Sequence, residues 1–177
     1  GTFSMSIREN NWLGEGKLVG FEIAVDAESL KGTLDYMNPN YDFLGNSLDF
    51  SLSSEANDKP NRGYENSIIS GRIGTSFEQY KNVIANLGIS ASHDDLTTTN
   101  SASASLKKQS GSFNEISGNY GFTFDKRNRS FMPTSGSVLS FGQTLPFYAD
   151  KSFIANTISA SAYKTISDDV IGASKIY

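Results

Sequence analysis

His93-Asp94-Asp95 is the run in this 177-residue chain whose residue types could hold a metal ion or pass a proton. A hard cation needs several converging oxygens, and acid–base catalysis needs groups that face one reacting atom. One histidine beside two adjacent carboxylates supplies neither, because successive side chains of an extended segment point apart. The run is therefore read as a solvated loop tip. Glu22, Asp35, Asp49 and Arg72 form the other charged set. They sit on different alternating segments and could approach one another across neighbouring strands, where they are read as polar lining rather than a catalytic carboxylate pair. The chain has no cysteine and a single histidine, so disulfides, zinc–thiolate sites, thiol nucleophiles and His-based metal clusters are excluded. No G-x-S-x-G, Walker A or dinucleotide glycine pattern occurs. The expectation is no enzyme: no catalytic residue, no cofactor and no metal.

The elements that carry these residues are strands. Ser (27), Asn (15) and Gly (16) make up about a third of the chain, beside 12 Phe, 8 Tyr and 1 Trp, with only 19% charged residues. Few charges with many small polar and aromatic residues is unusual for a soluble enzyme. The net charge of −4 and pI near 5.0 argue against nucleic acid, since phosphate binding needs surplus Lys and Arg. Apolar runs reach three residues, as in Ile23-Ala24-Val25 and Phe153-Ile154-Ala155, whereas a membrane helix needs about 20. Membrane helices are excluded.

Period-two alternation dominates. Phe3, Met5 and Ile7 alternate with polar residues over 2–10; Val19 to Val25, Leu30 to Tyr36 and Leu48 to Leu52 do the same. Further strands are predicted over 69–77, 82–92, 116–124, 139–145 and 154–162, with 170–177 starting a tenth. Ile84 breaks the pattern on its strand, and Asn156 and Thr157 are assigned to the polar side of theirs. The connectors near 12–16, 38–46, 78–82, 125–136 and 166–169 would lie at one end of the strands, and those near 26–29, 55–66, 93–112 and 146–152 at the other. The longest, His93 to Ser112, is Ser/Thr/Ala-rich and is predicted to be a mobile surface loop. Alternation already runs from Thr2 and is still running at Tyr177, so the chain is expected to be part of a longer one.

Alternation suits a soluble β-sandwich with its apolar face inside, or a membrane barrel with that face in lipid. The polar faces here are Ser, Asn, Gly and Thr rather than dense Lys and Glu, which suits a confined watery lumen. Aromatics gather at strand ends: Trp12, Tyr36, Tyr41, Phe43, Phe77, Tyr80, Phe124 and Phe131 at one, Tyr64, Phe113, Phe147, Tyr148 and Phe153 at the other. Two such sets are expected as girdles at the two membrane–water interfaces. The predicted fold is all-β, an antiparallel up-and-down transmembrane β-barrel, partial, forming one domain over residues 1–177.

Three connectors carry a family resemblance. Asn10-Asn11-Trp12-Leu13-Gly14-Glu15-Gly16, after an alternating strand, resembles a turn of the BamA family, the outer-membrane assembly barrels also called bacterial surface antigens. Asp125-Lys126-Arg127-Asn128-Arg129-Ser130-Phe131-Met132-Pro133-Thr134-Ser135-Gly136 is similar to that family's D-x-R…F-x-P-T-x-G hairpin, some five hairpins downstream, and Asn38-Pro39-Asn40-Tyr41 to its N-P-aromatic turn. The residues also read physically. Gly14 and Gly16 can take positive φ, Trp12 can anchor at an interface, Pro133 fixes φ, Gly136 relieves crowding at a hairpin base, and Arg127 and Arg129 can pair with Asp125 at the rim.

The resemblance implies the second strand through part of the eleventh of a sixteen-stranded barrel, with POTRA modules, gate strands and an Arg-Gly-Phe loop elsewhere. It implies the outer membrane of a Gram-negative bacterium and a function in inserting and folding other outer-membrane proteins. Its implied partners are outer-membrane lipid, unfolded outer-membrane proteins and assembly-complex lipoproteins. Two-partner secretion and autotransporter-assembly translocases, a passive porin and a soluble sandwich adhesin are the alternatives.

Overall fold

A computed structural model describes residues 1–150, 153–167 and 170–177. Ten strands form one antiparallel sheet in chain order: β1 (Phe3–Trp12), β2 (Lys17–Val25), β3 (Ser29–Asn38), β4 (Ser47–Lys59), β5 (Tyr64–Tyr80), β6 (Val83–Thr98), β7 (Gly111–Asp125), β8 (Gly136–Ala149), β9 (Ala155–Ser167) and β10 (Val170–Ile176). One helical turn, α1 (Ala104–Lys107), interrupts the meander between β6 and β7. Of the connectors expected over 146–152 and 166–169, residues 151–152 and 168–169 lie outside the described residues, and the rest is shortened, with β8 running on to Ala149 and β9 to Ser167.

The sheet is inside out compared with a soluble protein. On β5 and β6 the apolar residues Ile69, Ile73, Leu87 and Ile89 are the exposed ones, while Ser70, Arg72, Ser90 and Ser92 opposite them are partly covered. Among the described residues only Ala85 and Ala102 are buried apolar side chains. Among the described residues no second sheet packs on the apolar face, as a sandwich would require. Register holds the two faces apart: Phe50↔Ile73, Ile73↔Ile89 and Ile89↔Gly118 stack on the outward face, and Asp49↔Gly74, Gly74↔Gly88 and Gly88↔Asn119 on the inward one. A slip of one residue would exchange them.

The outward apolar band covers 69–77 on β5, 83–91 on β6 and 116–124 on β7, about the 9–11 residues with which a tilted strand crosses a bilayer. The strands continue past it. β5 has 17 residues and β6 has 16, so their polar ends project beyond the band. This corrects three expectations. The connector assigned to 55–66 shrinks to 60–63, and that assigned to 93–112 to 99–110. His93-Asp94-Asp95 lies on β6, paired with Ile69, Ile68 and Ser67 on one side and Asn114, Phe113 and Ser112 on the other, rather than at a loop tip. Tyr64 and Phe113 fall on the inward face, so they do not belong to the lipid-side girdle. Beyond the bilayer both faces of a strand meet water, and alternation no longer reports that it continues.

The long connector is ordered by contacts. Ser103 caps α1 by accepting from the Leu106 N–H (3.3 Å), Lys107 Nζ donates to Asn100 O (2.8 Å), and Thr99 N donates to Gly63 O of the β4–β5 turn (2.8 Å). A last correction concerns Asn156. Register pairs it with Gln143 and pairs Ile158 with Phe141, so Asn156 is outward. Gln143 Nε2 donates to Asn156 Oδ1 (2.7 Å), which keeps part of its polarity satisfied there.

Candidate functional site

The turns that join β1–β2, β3–β4, β5–β6 and β7–β8 share one end of the sheet. In the first, Gly16 N donates to Asn11 Oδ1 (2.7 Å) and Gly14 N to Asn11 O (2.9 Å). Gly14 and Gly16 have positive φ, and so does Leu13. Trp12 ends β1, half exposed. In the second turn Asn38 Oδ1 accepts from the Asn40 N–H (3.1 Å) ahead of an Asp42-centred loop closed by Tyr41 N donating to Asn46 O (2.7 Å).

The hairpin over 126–135 is the most heavily bonded of the set. Asp125 Oδ1 accepts from Arg127 N (3.0 Å) and Nε (2.9 Å), and Oδ2 from Nη2 (2.6 Å), a planar fork on a carboxylate. Asn128 spans the loop: its Nδ2 donates to Thr134 Oγ1 (2.7 Å), and its Oδ1 accepts from Thr134 N (3.1 Å) and Ser135 N (3.2 Å). Arg129 Nε donates to Met132 O (2.7 Å), so of the two arginines expected to pair with Asp125 only Arg127 does. Gly136 closes the base at φ +98, where a Cβ would stand 2.2 Å from Lys126 O.

Two of the three motif turns meet. Pro39 and Gly45 of the β3–β4 turn and Asp125, Arg127 and Arg129 of the β7–β8 hairpin line one depression of about 510 Å³ on the inward face at this end. The Asn11–Gly16 turn lies apart from it, and Phe131, Pro133, Thr134 and Gly136 shape the hairpin without lining it. Sequence reasoning missed Met37, Glu78 and Asn82 as lining residues. Ile84 was flagged in the sequence as a break in alternation, and it lies in this wall.

Farther along the inward face Arg72 pairs with Asp49. Gly74 and Gly88 leave room for the guanidinium: a Cβ on either would come within 2.7 Å and 3.0 Å of Arg72 Nη2. Arg8 and Asp35 line the same recess, of about 320 Å³. Arg8 went unnoticed in the sequence. Both signs of charge share this recess on the inward face, with Arg72 and Asp49 paired, which suits a polar lumen. His93 is occupied on the opposite face, with Nδ1 2.7 Å from Asn114 Oδ1 and Nε2 3.0 Å from Asp95 Oδ2. Asp94, between them in sequence, is on the other side of the sheet.

Residues 11–176 match the Omp85 superfamily domain. Among solved structures, BamA from Haemophilus ducreyi lacking POTRA domains 1-3 superimposes with a TM-score of 0.72 at 20% identity, over 95% of this chain and 35% of that one. The chain thus spans about a third of the length of the structure it resembles, and the likeness is one of fold: a partial up-and-down barrel with its apolar face outward. The domain match runs over nearly the whole sheet, and on it the chain belongs to the Omp85 superfamily.

Proposed function

We propose that this chain is part of an outer-membrane barrel that inserts and folds other outer-membrane proteins in a Gram-negative bacterium. The observation that carries the reading is the inverted sheet of an Omp85 member: Ile73, Leu87, Ile89 and Phe122 turned outward, Arg72, Asp49 and Asn119 turned in. Such a wall suits hydrocarbon outside and water inside. Insertion then needs no catalytic residue and no cofactor. A seam in the closed barrel offers backbone N–H and C=O groups to an incoming strand, which pairs by β-augmentation and is spared the several kcal/mol per unpaired group in lipid. The mouth depression with Arg127 and Arg129 faces the side from which unfolded substrate would arrive, and lipoprotein partners would dock at that end.

The test is reconstitution of the full-length protein in phosphatidylethanolamine/phosphatidylglycerol vesicles, with a urea-unfolded small outer-membrane barrel as substrate and its folded gel mobility as readout. Folding several-fold faster than in empty vesicles, without nucleotide, is the expected result. Unchanged folding with steady solute conductance would make the protein a passive porin. Export of an added polypeptide across the vesicle wall would place it with the translocases.

A further inference from the structure

The outward face carries a trough between β5 and β8. Ile73, Leu87 and Ile89 form one wall, Tyr120 and Leu145 the other, and the bulged Phe147 closes the end nearest the loops. Its volume is about 500 Å³, within the range of roughly 300–1,000 Å³ in which proteins seat small ligands. Gly118 makes the depression possible: it brings no side chain, and the Phe147 ring lies across it, 2.3 Å from where a Cβ would be. The register skips one residue here, with Ser117↔Pro146 and Ile116↔Tyr148, so Phe147 is the extra residue of a bulge.

The wall is held in place. Tyr120 Oη donates to Gln143 Oε1 (2.8 Å), Gln143 donates onward to Asn156, and the Tyr120 ring rests against Phe122 (6.1–6.4 Å being the spacing of its two aromatic contacts, Phe141 and Phe122). This explains three polar side chains in a row of the lipid-facing band. Tyr120, Gln143 and Asn156 are bonded in series, which satisfies the Tyr120 hydroxyl and one Gln143 N–H within the row, and the Thr75 hydroxyl beside them donates to Ser47 O (2.7 Å).

We propose that this trough is a fixed binding site for an acyl chain of a membrane lipid in the leaflet nearest the loops. The inference rests on the membrane reading above. Strands β5 to β8 are paired on both sides, so no backbone edge is offered to a protein strand, and an occupant that brings no hydrogen-bonding group matches walls that are mostly apolar. The trough is continuous with the apolar band that meets lipid. At its loop end Tyr148 Oη donates to Asp150 Oδ1 (3.4 Å), and Asn114 N donates to Asp150 Oδ2 (2.7 Å), a polar margin at headgroup level.

The experiment uses the full-length protein in phosphatidylethanolamine/phosphatidylglycerol vesicles doped with a phosphatidylethanolamine bearing a diazirine on one acyl chain, and maps crosslinks by peptide mass spectrometry. Ile73, Leu87, Leu145 and Phe147 should be labelled several-fold more than Phe21, Leu34 and Ile158 on the same face. Leu87→Trp should remove the excess by filling the trough, and Leu34→Trp should leave it. The wild-type distribution decides even where a variant fails to insert. Even labelling of all outward residues overturns the site but keeps the membrane reading. Labelling of Ser51 and Ser90 in place of the outward residues overturns both. A polypeptide crosslinked at the trough makes it a protein interface and overturns the lipid assignment.

Discussion

Two glycines in equivalent turns differ in what they demand, and the difference is testable at the level of single atoms. Gly14 and Gly136 both have positive φ, but around Gly14 there is open space, whereas a Cβ on Gly136 would stand 2.2 Å from a backbone carbonyl oxygen. Gly14→Ala should therefore cost only the left-handed backbone penalty, about 1–2 kcal/mol. Gly136→Ala adds a clash that the chain must move to relieve, and should lower the urea midpoint of the full-length protein distinctly more. Equal midpoints would mean that the 126–135 hairpin is not built as described. Asp42 gives a pH dependence. The backbone N–H of Asn46, then its side-chain amide and the N–H of Leu44, donate to the Asp42 carboxylate and hold its pKa below the ordinary value. A lowered pKa means that this contribution is complete above the unfolded value of about 4 and is lost as pH falls through the folded one. Hydrogen exchange at Leu44 and Asn46, corrected for its intrinsic pH dependence, should stay slow down to about pH 4 and rise only below it. Asp42→Asn should abolish that step.

Elements were legible wherever lipid imposes alternation, and illegible where it does not. Nine strands and the start of the tenth are read from the sequence, and the band edges at Ile69, Ala91 and Ile116 are where period two stops. What the pattern could not give was the continuation of β4 to β7 into water, where Ser67, His93, Asp95 and Asn114 occupy outward positions without hydrophobic marking. The mouth depression was half visible: its Pro39, Asp125, Arg127 and Arg129 came with the turns, but Met37 and Glu78 are brought there by register across β3 to β6, which no local window reports. Loop order was hidden for the same reason, because the segment over 99–110 folds against a turn some forty residues earlier in the chain. Gly63 has φ +72, and a Cβ there would lie 2.5 Å from Ser101 Oγ and 2.6 Å from Ala102 N. Gly63→Val should lift the loop off the β4–β5 turn while leaving the membrane band intact. Limited proteolysis from the loop side should then cut within 99–110 at least several-fold faster, with unchanged heat-modifiable mobility. Unchanged cleavage would mean that the loop does not depend on that contact.

The whole sheet has one apolar face and one polar face, and a single layer can protect the first only with lipid or with a second layer of protein. Water-phase reagents alone do not separate these, since both coverings exclude them. Lipid-phase quenchers do. Cysteines introduced at Phe21, Leu34, Phe50 and Leu87 of the full-length protein should resist aqueous thiol reagents, and fluorophores there should be quenched by brominated acyl chains. Cysteines at Glu22, Asp35 and Ser51 should label from water and escape the quencher, because register places them on the inward face beside Thr33, Gly20 and Arg72. Sidedness follows from the ends. A tag near Ser103, on the loop that carries α1, should bind antibody on intact cells, and one near Asn128, in the hairpin at the opposite end, only after the outer membrane is permeabilised. Aqueous protection without lipid quenching at the first four positions would mean a protein layer covers the apolar face, and exposure of both tags would mean that the two ends of the sheet do not lie on opposite sides of a membrane.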